Sequence, residues 1–126
     1  MTTVVDVLKT IADGKSLVLF NTIAVSNCDS DLLKSKVALT RKQYYSRLSA
    51  FINAGIVKRE RGKYSLTTFG KVLHHAQEII GKAVNEYWQL KAIDSIRASG
   101  NEVPQEQFHR IIDTLIIDQQ MKDILV

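Results

Sequence analysis

The chain has little of what marks secreted, membrane-bound or catalytic proteins. Its one cysteine, Cys28, cannot form a disulfide within the chain and suits a reducing compartment. With one proline, Pro104, and no Gly/Ser tract, it has no linker, low-complexity segment or internal repeat. No apolar run nears the roughly 18 residues of a membrane helix. No basic stretch followed by an apolar one opens the chain, so no signal peptide is expected. A Gly-rich phosphate loop, HExxH and GxSxG are all missing. The expectation is a cytoplasmic protein that is not an enzyme and has no catalytic residue.

Metal chemistry is equally poorly supplied. His74 and His75 are neighbours and diverge on a helix. His74 and Glu78 stand four apart, but two ligands at helical spacing do not make a site. Cys28, in Asn27-Cys28-Asp29, lacks a second thiolate. It is read as an unreactive thiol, with an intersubunit redox switch as the alternative. No metal and no cofactor are expected.

What is present is a core and an uneven charge. Apolar residues make up 45% of 126, enough to fold one ordinary domain. The net charge of +4 is concentrated in the middle. Residues 1–33 sum to −2, residues 34–71 to +9 and residues 72–126 to −3. A basic block between two acidic ones is a local footprint for an anionic partner.

The block contains a well-marked helix, residues 41–54. Thr40 and Gln43 have capping-box spacing at its start, and Gly55 suits a left-handed exit. Tyr44, Leu48 and Phe51 share one stripe, fit for a core. Lys42, Ser46, Ser49 and Asn53 share the opposite one, flanked by Gln43 and Tyr45.

Short helices are expected before it. Val4 to Ile11 ends near Asp13-Gly14, with Gly14 as stop signal. Leu17 to Val25 is apolar on most sides and is expected in the centre of the domain. Ser26 to Asp29 reads as a loop. Asp31 to about Val37, capped by Asp29 or Ser30, leads through Ala38-Leu39-Thr40 into the basic helix, which makes a helix-turn-helix pattern. After Gly55 the period becomes alternating. Ile56–Glu60 and Lys63–Thr67 flank Arg61-Gly62 as a β-hairpin, with Val57, Arg59, Tyr64 and Leu66 on one side. The type of its turn stays open, because arginine is a poor partner for a type I′ turn.

From Thr67 or Thr68 a helical stretch runs to about Ser99, where Ser99-Gly100-Asn101 ends it. Gly81 is its expected weak point. Leu73, Ala76, Ile80, Ala83, Tyr87 and Leu90 step by three and four as a heptad seam. Tyr87 and Trp88 are read as packing residues, with the wall of an effector pocket as the alternative. Pro104 starts another helix, and Asp118 to Leu125 forms the last.

Residues 5–80 resemble the winged-helix regulators related to the ArsR and MarR families, and look closest to small archaeal transcriptional regulators. The likeness lies in the capped helix, the Ala54-Gly55-Ile56-Val57 exit, the basic hairpin and Leu66-Thr67-x-x-Gly70. It implies a mainly α fold with a small β-hairpin wing (α+β), a winged helix-turn-helix with C-terminal dimerisation helices. A DNA-binding domain would occupy 1–80 and a dimerisation extension 81–126, bridged by a helix over about 68–99.

The resemblance implies double-stranded DNA as partner and a homodimer. The recognition helix, 41–54, would enter the major groove with Arg41, Lys42, Gln43, Tyr45, Ser46, Arg47 and Ser49. The wing, 57–67, would bring Arg59, Arg61 and Lys63 to the backbone or minor groove. Lys34 and Lys36 would touch phosphates. Leu73, Ala76, Ile80, Ala83, Tyr87 and Leu90 would pair the subunits. The competing expectation is a winged-helix protein-interaction module in a transcription or replication assembly.

Overall fold

The structure, a computed structural model, describes residues 3–25, 30–98 and 103–126, the side chains of 30–32 apart. It is mainly helical with one two-stranded antiparallel sheet among the described residues. The elements are α1 (Val4–Ile11), α2 (Gly14–Val25), α3 (Ser30–Lys36), α4 (Arg41–Asn53), β1 (Val57–Glu60) and β2 (Lys63–Leu66). They continue as α5 (Thr68–Asn85), α6 (Tyr87–Ala98), α7 (Gln105–Leu115) and α8 (Gln119–Leu125). Ser26 to Asp29, Cys28 with them, and the Ser99-Gly100-Asn101 stop signal lie outside the described residues, as do the side chain of Ser30 and hence both expected caps of α3.

The chain divides into two compact units, Met1–His75 and Ala76–Val126, so the boundary falls inside α5. In the first, the core joins Val7 and Ile11 of α1 to Leu19, Phe20 and Ile23 of α2. It continues through Leu33 and Val37 into Tyr44, Leu48 and Phe51 of α4, then Ile56, Val57, Tyr64 and Leu66. Phe20 meets Phe51 edge-to-face at 5.9 Å. In the second unit, Ile93, Ile112, Ile116 and Met121 form the core, with Ile79, Ala83, Leu90 and Phe108 packed against it.

Several expectations need correction. Gly14 does not stop α1; it opens α2, and Asp13 is the reason. The Asp13 carboxylate accepts from the Ser16 amide at 2.9 Å and from the Ser16 hydroxyl at 2.7 Å, so Asp13 caps the second helix. The α2 helix is not enclosed on most sides either, because Val18 and Val25 are exposed. The expected helix over 68–99 is two helices that part at Glu86, while Gly81 stays inside α5.

The heptad seam is also divided. Leu73 packs on the core of the first unit, and Ala83 and Leu90 on that of the second. Ala76, Ile80 and Tyr87 face solvent. A 3.5-residue repeat drifts around a 3.6-residue helix, and the change from one core to the other falls inside α5, between Leu73 and Ala83.

The hairpin pairs Val57 with Leu66, Lys58 with Ser65, Arg59 with Tyr64 and Glu60 with Lys63, the expected register. Val57, Tyr64 and Leu66 are buried, which anchors its base. Arg61 and Gly62 both have positive φ, +54° and +76°, as a type I′ turn requires. The turn left open by the sequence is therefore of this type, with an arginine in the left-handed region.

Candidate nucleic-acid interface

The α4 helix is closed at both ends by its own sequence. The Gln43 amide donates to Thr40 Oγ1 at 3.2 Å, and the Thr40 amide donates to Gln43 Oε1 at 3.1 Å. This capping box satisfies two of the orphan donors of the first turn. At the other end Gly55 takes φ +79°. Its amide donates to the Ile52 carbonyl and the Ile56 amide to that of Phe51, the two bonds of a Schellman motif. Ile56 and Phe51, both fully buried, supply the accompanying apolar contact.

Burial then decides which side of α4 is available. Tyr44, Leu48 and Phe51 are at most 2% exposed. Arg41, Lys42, Tyr45, Ser46 and Ser49 are exposed. The α4 helix contains no carboxylate, so no charge of its own repels phosphate.

Two expected members of the exposed set have other work. The Gln43 carbonyl oxygen is taken by the capping box, and bidentate reading of adenine needs both that oxygen and the amide nitrogen. With the box closed, Gln43 is a cap. The Arg47 side chain turns back onto the protein. Its guanidinium lies 3.5 Å from Asp13 Oδ1 and donates to the Gln43 carbonyl at 3.4 Å. Arg47 ties α4 to the cap of α2 rather than extending from the surface. Spacing places Gln43 in the exposed arc and Arg47 nearer its border, and helix angle cannot tell an outward rotamer from an inward one.

Tyr45 is 42% exposed and held on two sides. Its ring meets Tyr44 edge-to-face at 5.1 Å, and Lys34 Nζ of α3 lies 5.5 Å from the ring centre. Lys34 therefore packs directly on α4, and Lys36 is exposed at the end of α3. Ile52 was missed. It is exposed and lies seven residues from Tyr45, on the same stripe, and an exposed isoleucine in a polar arc was the available signal.

The hairpin follows α4 after a short turn, and β1 packs against α4. Arg59, Arg61 and Lys63 are all exposed. Arg59 stacks over Tyr64, 5.7 Å from its centre, while Lys58 lies 3.5 Å from Glu60. The opposite side of the ribbon borders an open groove of about 770 Å³, lined among others by Lys58, Arg61, Lys63 and Lys71. Lys71, on the first turn of α5, is a cation the motif-based reading passed over although it lies in the +9 block.

Among the described residues no three His, Cys, Asp or Glu side chains gather as a metal would require. The His74 ring packs edge-on against Phe20 at 6.0 Å. No described helix is long and apolar enough to cross a membrane. No family model, curated protein or solved structure matches the chain.

Proposed function

We propose that the chain is a sequence-specific, dimeric DNA-binding transcriptional regulator built on a winged helix-turn-helix. The α3–α4 pair acts as the helix-turn-helix, α4 as the recognition helix and the β1–β2 ribbon as the wing. The observation that carries this reading is α4 itself. Its apolar stripe is sealed in the core, both ends are capped, and Arg41, Lys42, Tyr45, Ser46 and Ser49 stand exposed without a carboxylate among them. A basic hairpin follows directly.

In this mechanism α4 enters the major groove. Lys42 and Arg41 meet guanine edges or phosphates near its amino end, and Ser46 and Ser49 line the groove. Lys34 and Lys36 neutralise phosphates from α3. Arg59, Arg61 and Lys63 grip the neighbouring backbone or minor groove. Two copies reading successive half-sites give specificity that one short helix lacks. The protein would work in the cytoplasm, at the nucleoid.

The test is duplex binding against salt. Several phosphate contacts make log K fall steeply with log[salt], and each lost cation lowers the slope by about one. Lys42→Ala should weaken binding and flatten the slope. A flat dependence for the unmodified chain would sink the proposal.

A protein-interaction module is the second reading, favoured by the exposed Ile80, Val84 and Trp88. Light scattering separates the two. A stable homodimer supports the regulator, and a monomer that pairs only with a different chain supports the module.

A further inference from the structure

Gly81 lies in the interior of α5, where glycine weakens a helix relative to alanine. Nothing among the described residues explains it. Its φ is not in the left-handed region, and a Cβ built there would meet no atom within 4 Å. The residues around it on that side are large, apolar and uncovered. Ile80 is 60% exposed, Val84 68%, Tyr87 53% and Trp88 73%. The opposite side of the same stretch, with Ile79, Ala83 and Leu90, is already packed on the core of the second unit. A glycine that helix stability disfavours, beside uncovered aromatic and branched side chains, is what a close helix crossing requires.

We propose that this side of α5 and the start of α6 is the homodimer interface, crossed antiparallel by the same stretch of a second copy about a two-fold axis at Val84. Such an axis sets each residue opposite the one equally far on the other side of position 84. Trp88 then lies over Ile80 of the other copy, Val84 over Val84, and the Tyr87 ring over Gly81. The largest side chains meet a branched aliphatic and a residue with no side chain, so the stripe is complementary to itself, as a two-fold contact must be.

The rings are ordered for this role. Tyr87 and Trp88 meet edge-to-face at 5.3 Å, and Lys91 Nζ lies 5.7 and 5.6 Å from their centres. Four such side chains uncover on the order of 400 Å² on each copy, about half of what one partner contributes to a standard interface, so they form its centre and the contact must extend beyond them. Flanking residues such as Gln77 and Lys91 supply the rim.

Of the expected seam, Leu73, Ala83 and Leu90 are packed inside the two units, while Ile80 and Tyr87 belong to this side. This side is the pairing surface of the dimer proposed above and does not depend on DNA binding.

The experiment uses the full chain with Cys28→Ser, so that an introduced cysteine is unique. Val84→Cys should form a disulfide-linked dimer on mild oxidation, and Asn85→Cys, one residue round the helix, should not. Gly81→Leu should lower dimer affinity by at least tenfold in light scattering, with circular dichroism unchanged. Gly81→Ala should raise the melting temperature at low protein concentration yet weaken pairing. A monomer at tens of micromolar, equal cross-linking at 84 and 85, or pairing untouched by Gly81→Leu would each overturn the interface. If the cross-link forms but no duplex is bound, the interface stands and the regulator falls.

Discussion

Thr67 Oγ1 donates to the Gly55 carbonyl oxygen at 2.6 Å. Thr67 Oγ1 in turn accepts from the Gly70 amide at 2.9 Å, so one hydroxyl joins the exit of α4 to the cap of α5. The Thr67 amide completes the joint by donating to the Ile56 carbonyl at 3.1 Å. Gly70 is needed because the first turn of α5 lies directly on Ile56, and a Cβ there would run into the Ile56 carbonyl oxygen. Thr67→Val should therefore cost about 1–2 kcal/mol in urea denaturation, whereas Thr67→Ser should cost far less. Gly70→Ala should cost about 1–3 kcal/mol, because backbone rather than a flexible side-chain end must give way. Stability unchanged in both Thr67→Val and Gly70→Ala would remove the joint from this account.

Arg61 tests whether the hairpin tip is kept for stability or for contact with DNA, as proposed. A non-glycine residue in the left-handed region costs about 1–2 kcal/mol, less for asparagine. Arg61→Asn should therefore stabilise the fold by about 0.5–1 kcal/mol. It should at the same time weaken duplex binding and lower the salt slope by about one. A variant both more stable and equally tight would mean that the arginine has no role at the tip.

How much of this was legible follows from which interactions are local. The capping box of Thr40 and Gln43, the left-handed Gly55, the buried stripe of Tyr44, Leu48 and Phe51, and the register of the hairpin are set by near neighbours, and spacing alone predicted each. The inward turn of Arg47 depends on Asp13, 34 positions away, and no local pattern carries that. Gly14 misled because glycine next to aspartate reads as a helix stop, while the bonds from Ser16 make it a start. The heptad spacing carries no further than an apolar surface, because periodicity does not say which core, if any, covers each residue: Leu73 packs on one, Ala83 and Leu90 on the other.

In the proposed DNA complex, the part of Tyr45 in sequence reading can be measured atom by atom. Its ring is fixed between Lys34 and Tyr44 while part of it stays exposed, which suits contact with a thymine methyl in the major groove. Replacing thymines of a selected site by deoxyuridine deletes only those methyl groups. At about 0.8 kcal/mol for each carbon buried, one critical replacement should weaken binding roughly fourfold. Tyr45→Phe should keep that sensitivity and Tyr45→Ala should lose it. Equal losses on deoxyuridine substitution in the unmodified chain and Tyr45→Ala would place the methyl readout elsewhere.

Asp13 should make stability depend on pH in acid. Its carboxyl is held below the usual carboxylate value, first by the Ser16 amide, then by the Ser16 hydroxyl, with a smaller contribution from Arg47. A group whose pKa is lowered on folding stabilises the fold above its unfolded value, about 3.9, and that stabilisation is lost as pH falls through the lower folded value. Asp13→Asn keeps a capping oxygen but not the charge. It should be less stable than the unmodified chain at pH 7, by under about 1 kcal/mol because Asp13 is more than half exposed. The gap should close as pH drops below about 4. Arg47→Ala should narrow it at pH 7, because part of the charge interaction has already gone. Urea midpoints from pH 7 down to pH 3 decide the matter. A gap that is constant across that range would show that the Asp13 charge contributes nothing and that its bonds to Ser16 serve as a neutral cap.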